Sequence, residues 1–241
     1  GEYPMLDLVK CLSEGSSPAS IPNIWIKKTG RIEENPVRPL INDLDELPIP
    51  LRELFFLKDA HPLTQAVVIT GRGCPYQCSY CFNHIHQKLY KGKGPIIRRR
   101  SVDRIIEELL ILKRAGYHFI RFADDIFILS REWIEEFGEK YRKKINLPFS
   151  CLVQVNLVTP EIIRTLRKAG CYRVMMGLEA GNEQIRNHIL KRKMSQESII
   201  QSARIIRGAG IKLVTANMLG IPGGSFRTDW ETLELNIKCR P

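Results

Sequence analysis

The chain has 241 residues, 44% of them hydrophobic, which is enough to bury the core of one large domain or two small ones. Its formal net charge is +11, from 37 Lys and Arg against 26 Asp and Glu, and this admits an anionic partner. No run of about 18 apolar residues occurs and the start lacks a basic-apolar-small leader pattern, so a membrane span is not expected and a cytoplasmic location is.

Residues 1–60 read as an irregular lead-in with a short helix around Leu6–Leu12 and a Ser/Pro/Gly stretch. A small hairpin around Ile24-Trp25-Ile26 and Gly30 follows, and the segment closes on Leu47-Pro48-Ile49-Pro50. From about residue 65 the rhythm changes to strand alternating with helix. Ala66–Thr70 is a short β-branched run, and Val102, Ile105, Ile106, Leu109 and Leu110 mark one face of a helix that Ser101 starts and Gly116 ends. Phe119–Phe122 is the next strand, and Ser130 caps a helix from Arg131. Phe149–Val155 is a third strand, and Thr159-Pro160 opens a helix to Ala169. Tyr172–Leu178 and Leu213–Leu219 are the remaining strands, separated by a helical stretch from Asn182 and a helix from Ser195 to Ala209. A last helix starts near Phe226.

Strands joined by single helices imply an α/β fold with a parallel sheet and right-handed crossovers. Eight such units need about 250 residues by themselves. The expectation is therefore a partial TIM-like barrel that ends after five β/α units, with residues 61–241 forming a C-terminally incomplete core. No G-x-G-x-x-G follows the first strand, so a dinucleotide fold has no support.

Seven cysteines, at 11, 74, 78, 81, 151, 171 and 239, are a poor pattern for a secreted disulfide scaffold. Cys151 and Cys171 fall in apolar strand-like stretches, where cysteine serves as a small hydrophobe. The basic run Arg98-Arg99-Arg100 with Lys88, Lys91 and Lys93 includes a single aromatic, Tyr90. It reads as a solvated loop, and nucleic acid is not the expected partner.

The chemistry concentrates in Gly71-Arg72-Gly73-Cys74-Pro75-Tyr76-Gln77-Cys78-Ser79-Tyr80-Cys81-Phe82, with C-x3-C-x2-C spacing. This loop follows the first strand, at the end of a parallel barrel where active sites are built. Three thiolates can hold three irons of a [4Fe-4S] cluster and leave the fourth open. Two alternatives stand beside this one: a zinc site completed by His84 or His86, and a dithiol at Cys78 and Cys81.

With Tyr80 just before the third cysteine, the motif resembles the signature of the radical S-adenosylmethionine (SAM) superfamily. The resemblance implies that Cys74, Cys78 and Cys81 bind the cluster, that SAM chelates the open iron, and that Tyr80 lies near its adenine. Phe122-Ala123-Asp124-Asp125-Ile126-Phe127 resembles the F-x-D-D-x-F stretch of the cobalamin-associated branch, which implies that Asp124 and Asp125 lie beside the SAM ammonium. Gly177-Leu178-Glu179-Ala180-Gly181 resembles the G-[IL]-E-[SA]-G of that branch and gives Glu179 to the SAM ribose and amino acid. Arg192 aligns with a basic position that reaches the SAM carboxylate. Gln154 stands where the branch more often has arginine. Gly220-Ile221-Pro222-Gly223-Gly224 is similar to the G-[LI]-P-G-E turn, which places Ile221 at the cofactor, with Gly224 replacing the acidic residue.

The lead-in, with Asn35-Pro36 and Leu44-Asp45-Glu46-Leu47-Pro48, looks like the connector that joins a cobalamin-binding domain to such a barrel. No D-x-H-x-x-G surrounds any of the five histidines, so the resemblance assigns cobalamin only to a full-length parent. It implies a flavodoxin- or ferredoxin-type electron donor, a small-molecule or lipid substrate, and methylation or rearrangement at a carbon centre. A tRNA methylthiolation enzyme and a non-catalytic zinc module are the competing functions.

Overall fold

The computed structural model describes residues 1–55 and 65–241. Two compact units are present, one formed by Gly1–Asn42 with Ile85–Ile96 and the other by Asp43–His84 with Ile97–Pro241. The sequence-based boundary between residues 60 and 61 lies outside the described residues.

In the first unit, helix α1 (Glu2–Ser13) buries none of its residues. Strands β1 (Trp25–Lys28) and β2 (Arg31–Glu34) pair antiparallel in the register Lys28↔Arg31. Thr29 and Gly30, between them, both take positive φ. Two consecutive left-handed residues make the tight turn whose twist matches a hairpin. Asn23 ties this unit together, its Nδ2 donating to the Tyr90 hydroxyl at 2.9 Å and its Oδ1 accepting from the Arg38 amide at 3.0 Å.

The second unit is built on a five-stranded parallel sheet. Its strands are β3 (Gln65–Val68), β6 (Phe119–Phe122), β7 (Phe149–Val153), β8 (Cys171–Glu179) and β9 (Lys212–Asn217), in that spatial order. Two short strands, β4 (Gly71–Arg72) and β5 (Arg98–Arg99), pair antiparallel and clamp the ends of the excursion that carries the cysteine loop and α2 (Asn83–Leu89). The sheet strands are followed in turn by α3 (Val102–Arg114), which comes after that excursion, α4 (Arg131–Lys144), α5 (Pro160–Ala169), α6 (Gln196–Gly208) and α7 (Phe226–Cys239). Because sequential strands are also spatial neighbours, the sheet winds in one direction, as in a (β/α) barrel. The fold is the expected α/β, partial TIM-like one.

One local device starts all five of these helices. Ser101, Ser130, Thr159, Ser195 and Ser225 each accept a hydrogen bond from the backbone amide three residues on, at 3.1–3.4 Å. Each cap satisfies a donor the first turn leaves orphaned. Period-two burial along β8, with Val174, Met176 and Leu178 at 0% exposure, turns one sheet face onto the helices.

Three stretches depart from the sequence expectation for local reasons. The first strand ends at Val68, because the Thr70 amide donates to the Asp124 carboxylate instead of to a ladder. The third ends at Val153, because the Gln154 side chain accepts from the Asn156 amide and tightens the chain into a 3-10 turn. The stretch after Asn182 forms a π-helical turn over Ile185–Ile189.

Candidate active site

Cys74, Cys78 and Cys81 line one open cavity of about 160 Å³ beyond the C-terminal ends of the strands, together with Tyr80, Asp125, Gln154, Gly177, Glu179 and Arg192. The cysteine loop is fixed from two sides. Its Cys81 amide donates to the Cys78 carbonyl at 3.1 Å, which makes the loop a tight turn. Ser79 reaches across to the π-turn, its amide on the Leu190 carbonyl at 3.2 Å and its hydroxyl on the Ile189 carbonyl at 2.6 Å. Nothing in the local sequence announces that contact, because its partners lie 110 residues apart.

Arg192 is the electrostatic centre of the cavity. Its guanidinium donates to the Gly177 carbonyl at 2.8 Å and to the Cys78 sulfur at 3.5 Å, and stands 3.8 Å from Glu179 Oε1. Burial opposes this charge, but the Tyr80 phenol, the Cys78 thiol and Glu179 outweigh it and hold the pKa above its usual value. Burial also pushes the Tyr80 phenol up, with Arg192 opposing. The Cys74 thiol is pushed up to about 11 by burial, and Asp125 and the other two thiols reinforce the shift. Such a set favours a cationic group, since a bound metal deprotonates its thiol ligands outright.

Glu179 sits at φ +69 and Lys191 and Lys193 at +56 and +52, left-handed values that cost a non-glycine residue energy. The conformation holds because Arg186, at 0% exposure, knits the segment from within. Its guanidinium donates to the carbonyls of Ala180 at 2.8 Å, Gly181 at 3.0 Å and Met194 at 3.0 Å. A buried arginine with three backbone acceptors thus sets the positions of both Glu179 and Arg192. Its neighbours Gln184, Asn187 and His188 are polar too, so nothing in the local sequence signals its burial. Gly177 is equally constrained: a Cβ there would collide with the Glu179 carboxylate and stand 2.8 Å from the Arg192 guanidinium.

Of the residues singled out from sequence, Tyr80, Asp125, Gln154, Glu179, Arg192 and the three cysteines share this cavity, and Asp124 and Ile221 do not line it. Asp124 is 2% exposed and faces the other way, accepting from the Thr70 hydroxyl at 2.7 Å and lying 3.9 Å from Arg99. Burial pushes its carboxyl up, against the pull of Thr70 and Arg99. Arg99 is itself stacked 4.4 Å over the Trp133 ring, so Asp124 closes a buried structural pair that ties β6 to the hairpin of β4 and β5. Asp125, next to it, is the one presented to the cavity. Ile221 packs on the small apolar cluster of Ala180, Ile185 and Leu190.

The residues present fit a cluster with SAM on it. The Gln154 side-chain Nε2 and the Arg192 Nε are buried without a hydrogen-bond partner among the described residues, and orphaned donors beside a cavity suit an anionic or polar ligand. Among the described residues no three His, Cys, Asp or Glu side chains approach closely enough to share a single metal ion. Thiolates that each take a different iron of a cluster have no such need.

The model of the radical SAM superfamily matches residues 68–235. The chain belongs to that superfamily. It is 29% identical over 228 residues to an uncharacterized methyltransferase of Pyrococcus horikoshii, an alignment covering 92% of this chain and 48% of that protein. Two solved structures share the fold. The radical SAM methyltransferase TsrM from Kitasatospora setae, with tryptophan and a SAM analog bound, superposes with a TM-score of 0.78 at 17% identity, over 100% of this chain and 48% of the other. The cobalamin-dependent SAM radical enzyme OxsB, with aqua-cobalamin and SAM bound, gives 0.76 at 22% identity, over 98% and 35%. The chain thus spans less than half the length of these relatives. Among the described residues no helix is long and apolar enough to cross a membrane.

Proposed function

We propose that this radical SAM chain binds a [4Fe-4S] cluster through Cys74, Cys78 and Cys81 and works in a parent protein that methylates or rearranges a carbon centre. The carrying observation is the convergence of three thiols with Arg192, Glu179 and Gln154 on one cavity. The chemistry that cluster and SAM supply when bound is one-electron cleavage of the sulfonium to a 5'-deoxyadenosyl radical.

The chain's own residues hold and orient. Arg192 would take the SAM carboxylate, for which its orphaned Nε is a ready donor. Glu179 and Asp125 supply negative charge for the ammonium and ribose, and Tyr80 supplies an aromatic face for the adenine. Gln154, neutral where a second arginine would add charge, donates through its free Nε2. The cavity wall of Leu152, Val153, Met175 and Ala216 is apolar and offers a non-polar substrate carbon its contacts.

A methyltransferase name on a relative that covers 92% of this chain supports methyl transfer as the outcome. The fold shared with a cobalamin-dependent enzyme supports a cobalamin-binding domain elsewhere in the parent, with residues 1–60 as the connector. A reduced flavodoxin or ferredoxin would deliver the electron.

Anaerobic reconstitution tests the reading. The expected outcome is about four iron and four sulfide per chain and conversion of SAM to 5'-deoxyadenosine under strong reductant. A colourless protein that retains zinc and no iron would overturn it.

A further inference from the structure

The sheet face that looks away from the helices carries an ordered row of cations below the cysteine cavity. The parallel registers align Arg121 with Ser150, Ser150 with Arg173, and Arg173 with Lys212. Side chains in register on neighbouring parallel strands share a face. That face is the cavity's own, because Arg173 alternates with Met175 and Gly177, and Lys212 with Ala216, all of which line the cavity two or four residues on. Arg121 lies between Ile120 and Phe122, both buried at 0% toward the helices, and so points the same way.

Arg121 and Lys212 are exposed and Arg173 is half-buried. None of the three forms an ion pair among the described residues. Arg173 and Lys212 are direct neighbours, about 4.8 Å apart across the strands, and like charges so placed repel. Lys212 takes only a weak local compensation, its Nζ 4.8 Å over the Tyr172 ring. One row higher the same face offers Leu152, Met175 and Val214, which are in register and apolar, and Leu152 and Met175 already belong to the cavity wall.

We propose that this row binds the anionic end of the substrate, and that the substrate is an elongated amphipathic acid with a phosphate or carboxylate head and an apolar body. The spacing suits it: from Arg173 to Gly177 the strand rises about 13 Å at ~3.3 Å per residue. A head group on the cations would lay its body along Leu152, Met175 and Val214 and bring its far carbon to the cysteine end. The inference rests on the reading of that cavity as the reaction site, while the anion site itself stands on the row alone.

Calorimetric titration of the intact protein with sodium pyrophosphate and, separately, sodium succinate tests the proposal. Wild type is expected to bind at least one of the two saturably, and the stronger of them identifies the head group. Arg173→Gln and Lys212→Gln are each expected to weaken that binding at least tenfold, and Arg173→Lys to keep most of it. Lys212 is exposed, so its variant decides the matter even where Arg173→Gln folds poorly. Failure of wild type to bind either anion, or equal binding by the folded variants, overturns the proposal. Iron and sulfide content of the same samples reports separately on the cluster, so a failed anion site and a failed cluster assignment are distinguishable.

Discussion

On its helix-covered side the five-stranded sheet presents Phe122, Phe149 and Cys151, which pack under Phe127, Phe137 and Tyr141 at 0–1% exposure. The rings meet at centroid distances of 4.7–6.2 Å, stacked or edge-on, each such pair adding about 0.5–1.5 kcal/mol beyond its buried area. On its other side the same strands present Gln154, Gly177, Glu179 and a row of cations. There donors are orphaned, the backbone is strained at Glu179, and the surface is open. Burial on the first side supplies stability that the open, strained second side does not. The two sides should therefore respond to substitution in different observables.

The sharpest separation is expected from Cys78→Ala. Iron retention and 5'-deoxyadenosine formation should fall to background, while the thermal midpoint of the metal-free protein moves little, because the residue contributes no ring contact to the helix-side core. Metal analysis and calorimetry on one preparation would show both. A large loss of metal-free stability would break the comparison.

Phe137→Ala is the opposite case. Deleting a ring at 0% exposure that touches Phe122, Phe127, Trp133, Tyr141 and Phe149 should cost about 3–5 kcal/mol in denaturant unfolding. Protein that remains folded should assemble its cluster as wild type does.

Arg186→Met belongs to both sides and tests how they join. Removing the guanidinium leaves the carbonyls of Ala180 and Gly181 without their donor, at about 1–3 kcal/mol for the buried groups left unsatisfied, while the Met194 carbonyl keeps the Asn187 side-chain amide. Glu179 and Arg192 should lose their placement with it. The expected result is a moderate stability loss together with a SAM affinity reduced about tenfold, the equivalent of ~1.4 kcal/mol. Unchanged affinity would show that Arg192 holds its place without Arg186.

The smallest effect is expected at Asn83, 4% exposed, whose Nδ2 stands 3.5 Å from the Cys81 sulfur. A hydrogen bond to a ligating sulfur favours the more negative, reduced state. Asn83→Leu should lower the cluster midpoint, by about 59 mV for a tenfold shift in a one-electron couple, with cluster content unchanged. Electron paramagnetic resonance during a redox titration would read it.

Much of this was legible in residue order. The five β/α units followed from period-two and helical spacing and from Ser or Thr at the helix starts, since capping and amphipathicity act within a few residues. The cysteine motif was legible for the same reason: its three thiols lie within eight residues on one loop. Asp124 and Asp125 show the limit. Adjacent in sequence and both acidic, they read alike, but the backbone after Phe122 turns Asp125 to the cavity and Asp124 to Thr70 and Arg99.

By itself, then, the sequence determined the three-cysteine loop, the winding of the fold and the family, because each depends on neighbours along the chain. Only the tertiary structure decided which polar residues meet. Ser79 on the π-turn, Arg192 on Cys78 and the cation row at Arg173 all depend on register and crossover. These bring together residues tens of positions apart, and no local pattern encodes where a strand will lie beside its neighbour.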